Sequence, residues 1–393
     1  MLSDTQSAKI RSRFPIFRDK IYLNSCSQGA LSDAVENGVA AYINSWHEHG
    51  SPWDLWVEHY ELTRRLFAEF IGAEKDEVAI VTSASAGINV IASSLSFHGR
   101  NKVVLGEFEF PTMGHVWLAQ RSRGADITFV PSLENKLLGN SYERAIDRQT
   151  AIVPLTRMCF RNGFRSDVDA VVNLAHNQGA WVMLDDYQDC GTRPINVKDM
   201  DIDFYVTGTL KYLLGPPGLA FLYVRHELIN TLTPTITGWF AQDNPFAFDV
   251  KHLDLSSSAR RFESGSPPIP NLYAATPGIE LLRGTGMAQI ADHIGELATM
   301  FLSSLARMQI QTKTPPDSVG PLVVLQAANE DAANAMVAAL ARKNIVTSSR
   351  GDGVRISLHV YNSADDIAAL LQALEGNMHL LLTRTLGSGA MES

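Results

Sequence analysis

Cysteine is scarce: the 393-residue chain has only three, Cys26, Cys159 and Cys190. Three thiols make no disulfide framework, which fits a reducing compartment. A basic excess is missing too. There are 33 Lys and Arg against 42 Asp and Glu, a net charge of −9, whereas a nucleic-acid surface needs the opposite balance. No apolar run approaches the roughly 20 residues of a membrane-spanning helix. The opening segment Met1 to Ser7 lacks the charged-then-apolar order of a secretion signal. These absences predict a soluble, cytoplasmic protein with neither nucleic-acid nor membrane partners. The chain has no GxxxxGK[ST] and no GxGxxG after an early strand, so a nicotinamide-dependent enzyme is poorly supported. His47 and His49 lack a third ligand at a supportive spacing, and no metal is expected.

Hydrophobic residues make up 45% and charged residues 19% of the chain, an ordinary globular composition for two domains. Short apolar runs alternate with amphipathic stretches. Strands are expected at 78–81, 102–105, 126–130, 151–155, 181–184, 204–207 and 218–224. Helices are expected at 62–71, from 87, from 113, at 141–147 and at 168–178. This alternation predicts an α/β fold with a largely parallel sheet, whose ligands lie outside the carboxyl ends of the strands. Beyond residue 235 the pattern changes. A long helical stretch from Asn271 to about Met308 precedes strands 322–326 and 354–359 and helices 332–343 and 364–374. The domain expectation is 15–250 for the larger unit and 251–377 for a smaller α+β unit joined by residues 1–14. Residues 378–393 form a tail, loose at its tip.

The chemistry concentrates in one stretch. Val182-Met-Leu-Asp-Asp-Tyr-Gln188 delivers an acid, Asp185, at a strand end. Thr207-Gly-Thr-Leu-Lys211 delivers a lysine at the next, followed by Leu214-Gly-Pro-Pro-Gly218 and another apolar run. Enzymes built on pyridoxal phosphate need this pair: an amine for the Schiff base and an acid that keeps the pyridinium nitrogen protonated. The apolar neighbours Leu210, Tyr212 and Leu213 predict a buried lysine of lowered pKa. The competing readings are a solvated surface lysine and an acid that caps a following helix. A third element is Thr82 to Asn89, where small residues turn into a helix whose free amides can hold a phosphate.

With these residues in view, the chain resembles the class-V aminotransferases of the fold-type-I pyridoxal-phosphate enzymes. It is similar to the branch of cysteine desulfurases, selenocysteine lyases, kynureninases and isopenicillin-N-epimerase-like proteins. The likeness spans Ile21 to about Leu374. Its most specific part is D-x-x-Q, then D-F-Y-V, the lysine, G-P-x-G and L-Y-V. Glu107 to Pro111, Arg261 to Pro267 and Val354-Arg-Ile-Ser357 with Tyr361-Asn362 add to it.

The resemblance implies a large domain with a mostly parallel seven-stranded sheet, a smaller C-terminal domain, and a role for each matching residue. Lys211 would carry the cofactor and shuttle the α-proton. Asp185 would pair with the pyridine nitrogen and Gln188 would donate to the phenolic oxygen. Phe110 would stack on the ring, with plain core packing as its rival. Ala84 and Ser85, with Thr207 or Thr209, would serve the phosphate. Ser266 would reach the phosphate of a neighbouring subunit, implying a homodimer with active sites at its interface; a simple turn residue is the alternative. Arg355 would grip the substrate α-carboxylate, against a structural pairing with an acid such as Asp352.

The chain also departs from the pattern. Persulfide-forming desulfurases carry a cysteine shortly before the Arg355 position, whereas Val346 to Val354 has none and no cysteine follows Cys190. Cys26 reads as a buried structural thiol. Leu210 stands where desulfurases usually have histidine, and Phe160 where they have asparagine. The aromatic and histidine-rich segment Trp46 to Trp56 could shape the pocket mouth or pack a surface helix. The expectation is a pyridoxal-phosphate enzyme acting on an amino acid, as an aminotransferase or a C–S/β-lyase without persulfide chemistry. The alternatives are an epimerase and a non-catalytic binding protein on the same fold.

Overall fold

The computed structural model describes residues 2–384; the tip of the tail lies outside the described residues. Twelve strands occur in chain order. β1 (Ile21–Tyr22) precedes the large-sheet strands β2 (Val78–Val81), β3 (Lys102–Gly106), β4 (Asp126–Val130), β5 (Thr150–Thr156), β6 (Trp181–Asp185), β7 (Phe204–Gly208) and β8 (Ala220–Val224). Later come β9 (Leu322–Gln326), β10 (Ile345–Val346), β11 (Ser348–Arg350) and β12 (Gly353–Ser357).

The seven-stranded sheet has the order β2-β8-β7-β6-β5-β3-β4. β7, β6, β5, β3 and β4 run parallel to one another, and β8 runs antiparallel to both β7 and β2. All residues of β2, β7 and β8 are buried. That explains their near-continuous apolar sequences, because a sheet covered on both faces leaves no alternation. The fold expected from the sequence is therefore present, and the strand boundaries agree to within two residues.

A three-stranded antiparallel sheet, β11-β12-β9, carries the C-terminal chemistry. The N-terminal segment is tied to this part of the chain. β1 pairs parallel with β10, and Arg11 makes a two-pronged bridge to Asp366 at 2.8 and 2.9 Å. Among the described residues no helix is long and apolar enough to cross a membrane.

Three helix expectations need correction. Residues 141–147 form no α-helix; a short 3-10 turn spans Gly139–Tyr142. Gly139 is pressed against Ala170 of helix Val168–Asn177, and the Asp147 carboxylate accepts from Gln149 N at 2.9 Å and turns the chain into β5. The stretch 271–308 is two helices, Ile269–Thr285 and Met287–Arg307, broken at Gly286 with φ +94°. The helix expected at 62–71 begins earlier and runs Trp53–Phe70, after a helix Asp33–His49 that the pattern did not reveal.

The Trp46–Trp56 segment is thus the end of one helix, a connection at residues 50–52 and the start of the next helix. Trp56 Nε1 donates to Ser45 Oγ at 3.0 Å, while Trp46 is exposed.

Candidate active site

Lys211 sits in the loop from β7 to β8, and backbone contacts fix that loop. Gly29 N donates to Leu210 O at 2.7 Å. A Cβ on Gly29 would lie 2.4 Å from Lys211 O, and one on Gly191 would lie 2.4 Å from Tyr212 O. His359, buried and neutral, reaches Tyr212 O with Nε2 at 2.9 Å. Only residues without side chains allow this approach, so the lysine backbone is clasped on several sides. The side chain is buried as the apolar neighbours predicted. Burial lowers its pKa to about 8, opposed by the Asp185 charge and reinforced by Arg355 and Arg350.

Asp185 ends β6, the parallel neighbour of β7. It caps no helix; its Oδ1 accepts from Tyr187 N two residues on, at 2.9 Å. Burial pushes this carboxyl up, while the Tyr187 amide and Lys211 pull it down. A cationic ring nitrogen would relieve the burial cost.

Tyr187 was not anticipated as a site residue. Its ring lies 4.3 Å from Lys211 Nζ, and the Phe110 ring lies 5.9 Å from the same atom. The amine therefore lies near two aromatic rings, Tyr187 the nearer. Gly208 makes room for this: a Cβ there would fall 2.1 Å from the Tyr187 ring. The Gly208–Tyr187 pairing could have been suspected from the small residue at the end of an otherwise bulky strand. Phe110 itself is 45% exposed and packs edge-on against Phe160 at 5.0 Å, which rules out plain core packing.

Gln188 donates from Nε2 to Cys26 O at 3.2 Å, and its Oε1 is buried without a partner. Ala84 and Ser85 open helix Ala84–Ser94, three residues earlier than expected. Ser83 caps it by accepting from Ala86 N at 3.1 Å. The Ala84 and Ser85 amides have no partner among the described residues and can take an anion. The Ser85 hydroxyl donates to Thr112 Oγ1 at 3.1 Å.

Thr207 and Thr209 are placed differently from expectation. The Thr207 side chain alternates with Val206, which faces Gly87, so it lies on the other face of the sheet, and its hydroxyl donates to Gly208 O at 3.5 Å. The Thr209 hydroxyl donates within its own turn, to Pro216 O at 2.7 Å and Leu219 O at 3.2 Å. Both serve the fold. Ser266 lies on an exposed loop beside the main body and makes no hydrogen bond to the other site residues among those described.

Arg355 projects from β12 and is almost wholly buried. Its Nη2 donates to Ser27 Oγ at 2.8 Å and Ser348 Oγ at 2.9 Å, and its Nε has no partner. Asp352 does not neutralise it, because that acid pairs with Lys313. A buried guanidinium without a carboxylate leaves its charge to a ligand. Cys26 is buried beside this group, 4.0 Å from Ser348 Oγ.

Together these residues suit pyridoxal phosphate. They provide an amine of lowered pKa, a strand-end acid, two nearby aromatic rings, unpartnered helix amides and the Gln188 Nε2 group, which has a second N–H beyond the one given to Cys26 O. The comparisons with known proteins agree. The family model described as aminotransferase class-V matches residues 32–370. An uncharacterized aminotransferase, YcbU, of Bacillus subtilis is 33% identical over 91% of this chain and 94% of its own length. A kynureninase of Bacillus cereus is 28% identical over 69% of this chain and 67% of its own. A cysteine desulfurase structure from Thermococcus onnurineus superposes with a TM-score of 0.85 at 21% identity, covering 94% of this chain and 97% of that one. The chain belongs to the class-V aminotransferase family, a group of pyridoxal-phosphate enzymes.

Proposed function

From this membership we propose that the protein converts an amino acid with the help of pyridoxal phosphate, which Lys211 would hold through its amine. The reaction would be that of an aminotransferase or of a β-lyase without persulfide formation. The observation that carries the reading is the buried Lys211 amine, lowered to about 8, with the Tyr187 ring 4.3 Å and the Phe110 ring 5.9 Å away and Asp185 on the neighbouring strand. Pyridoxal phosphate supplies an electron sink for the charge left when a bond at the substrate Cα breaks.

The chain's own residues do the rest. Asp185 holds the proton on the ring nitrogen. Gln188 orients the ring through its phenolic oxygen. The Ala84 and Ser85 amides bind the phosphate. Arg355 binds the substrate α-carboxylate, with Ser27 and Ser348 fixing its guanidinium. Lys211 takes the proton from Cα and returns it. The hairpin segment Val346 to Val354 contains no cysteine, which argues against sulfur transfer to the protein.

The proposal extends to a homodimer. Trp46, Phe246, Phe248, Val250 and Leu253 are exposed, and a hollow of about 890 Å³ is lined by Trp239, Phe248, Val250 and Leu253 among others. Such patches mark interfaces, and Ser266 is free to face a second copy. A cytoplasmic location completes the proposal, supported by three free thiols.

The test is a visible spectrum of the purified protein before and after L- and D-amino acids, with Lys211→Ala as control. A yellow band that specific amino acids shift, and that the variant lacks, supports the assignment. A colourless protein that cannot be reconstituted with pyridoxal phosphate refutes it. Light scattering of the same sample reads the oligomeric state, and a monomer refutes the dimer.

A further inference from the structure

The hairpin that carries Arg355 presents a second arginine to the same site. In the β11–β12 register Ser348 stands opposite Arg355, Ser349 opposite Val354 and Arg350 opposite Gly353. Side chains alternate along a strand, so Ser348 and Arg350 share a face with Arg355. The contacts confirm which face this is. Ser348 Oγ accepts from Arg355 at 2.9 Å and lies 3.4 Å from Ser27 Oγ, whereas Ser349 Oγ turns away to Asn334 on helix Glu330–Ala341.

Charge is unbalanced here. Among the described residues neither guanidinium has a carboxylate partner. Arg350 donates from Nη1 to the carbonyl of Ser349 at 3.0 Å, and the hairpin's acid, Asp352, is taken by Lys313. Arg350 and Arg355 both act on the Lys211 amine, and Arg355 acts on Arg350 in turn, so the three cations are near neighbours. One α-carboxylate balances Arg355 and leaves Arg350 uncompensated.

We propose that Arg350 binds a second acidic group, on the substrate side chain, so that the preferred substrate is a dicarboxylic amino acid. This rests on the assignment of Arg355 and Lys211 made above. The buried Arg355 fixes the α-carboxylate. The exposed Arg350, on a longer reach from the hairpin tip, takes the distal carboxylate and can accommodate side chains of different length.

The experiment is a spectral titration of the holoenzyme with L-aspartate, L-glutamate, L-asparagine and L-alanine. The readout is the ratio of dissociation constants, neutral over acidic. A ratio of at least roughly tenfold is expected, the size of one charge-assisted hydrogen bond. Arg350→Ala should cut that ratio about tenfold, and Arg350→Lys should retain most of it. A ratio near one, or a ratio that Arg350→Ala leaves in place, overturns the proposal.

A second arm needs no reaction with the cofactor. Succinate should raise the melting temperature more than butyrate does, and Arg350→Ala should abolish the difference; equal shifts in the parent protein overturn the proposal. A protein without the Lys211-dependent band would refute the catalytic reading, while the succinate arm would still decide on Arg350.

Discussion

The two sides of this active site are built on opposite plans. The floor, made by the ends of β6 and β7, is buried, and glycines clasp its lysine loop. Its charges are few and are tuned by desolvation: Lys211 goes down and Asp185 goes up. The wall, made by the β11–β12 hairpin, carries two arginines without acids and is braced by hydroxyl groups. Under the proposed function the floor would hold and activate the cofactor, and the wall would leave charge for a variable ligand. This division fits a family in which the electron sink is shared and the substrate differs.

The largest effect that would sharpen this contrast is expected on the floor. Asp185→Asn should lower kcat by roughly 10²-fold or more, because the ring nitrogen loses its fixed charge partner. Steady-state kinetics with the preferred amino acid checks this, and a loss confined to KM would break the assignment.

On the wall the expected change is of the other kind. Arg355→Lys should raise KM roughly tenfold or more, since a lysine cannot reproduce the bidentate grip. A kcat loss at unchanged KM would place Arg355 with the floor.

The clasp gives a test of rigidity. Gly191→Ala puts a methyl about 2.4 Å from Tyr212 O at φ +99°, so the loop must shift. The expected cost is about 1–3 kcal/mol in thermal unfolding, together with weaker cofactor retention. Gly351→Ala on the wall meets nothing within 4 Å, so only the left-handed backbone at φ +52° opposes it; it should cost about 1–2 kcal/mol and leave cofactor retention unchanged.

The smallest effect is a pH dependence. A lysine lowered to about 8 is mostly protonated below that pH and mostly a free amine above it. The rate of cofactor loading into the apo-protein should therefore rise with pH through about 8 and then level off. A rise centred near 10.5, the ordinary lysine value, would show that burial does not tune this amine.

Much of the floor could be read in the chain because strand ends are local. An apolar run of four or five residues followed by an acid or a lysine specifies both the element and the position of the functional group. Arg355 lies mid-strand in β12, and its position follows from the strand alternation rather than from a strand end. Tyr187 was not legible, since its place against Gly208 and Lys211 joins three separate segments. The internal hydrogen bonds of the Thr207 and Thr209 hydroxyls were not legible, because proximity in sequence says nothing about which face of a sheet, or which turn, captures a donor. The helix expected at 141–147 failed because Gly139 packs on Ala170, a contact no local pattern contains, and because Asp147 bonds Gln149 N and turns the chain into β5.

By itself the sequence determined the alternating α/β order, the buried parallel strands and the acid–lysine pair, because hydrophobic periodicity and strand-end chemistry act over a few residues. Only the tertiary structure decided how the lysine is enclosed, which hydroxyls are free and which arginines lack acids. Those properties depend on backbone approach and charge balance between segments as distant as Ser27, Lys211 and Arg355, and burial acquires its energetic meaning only when these are brought together.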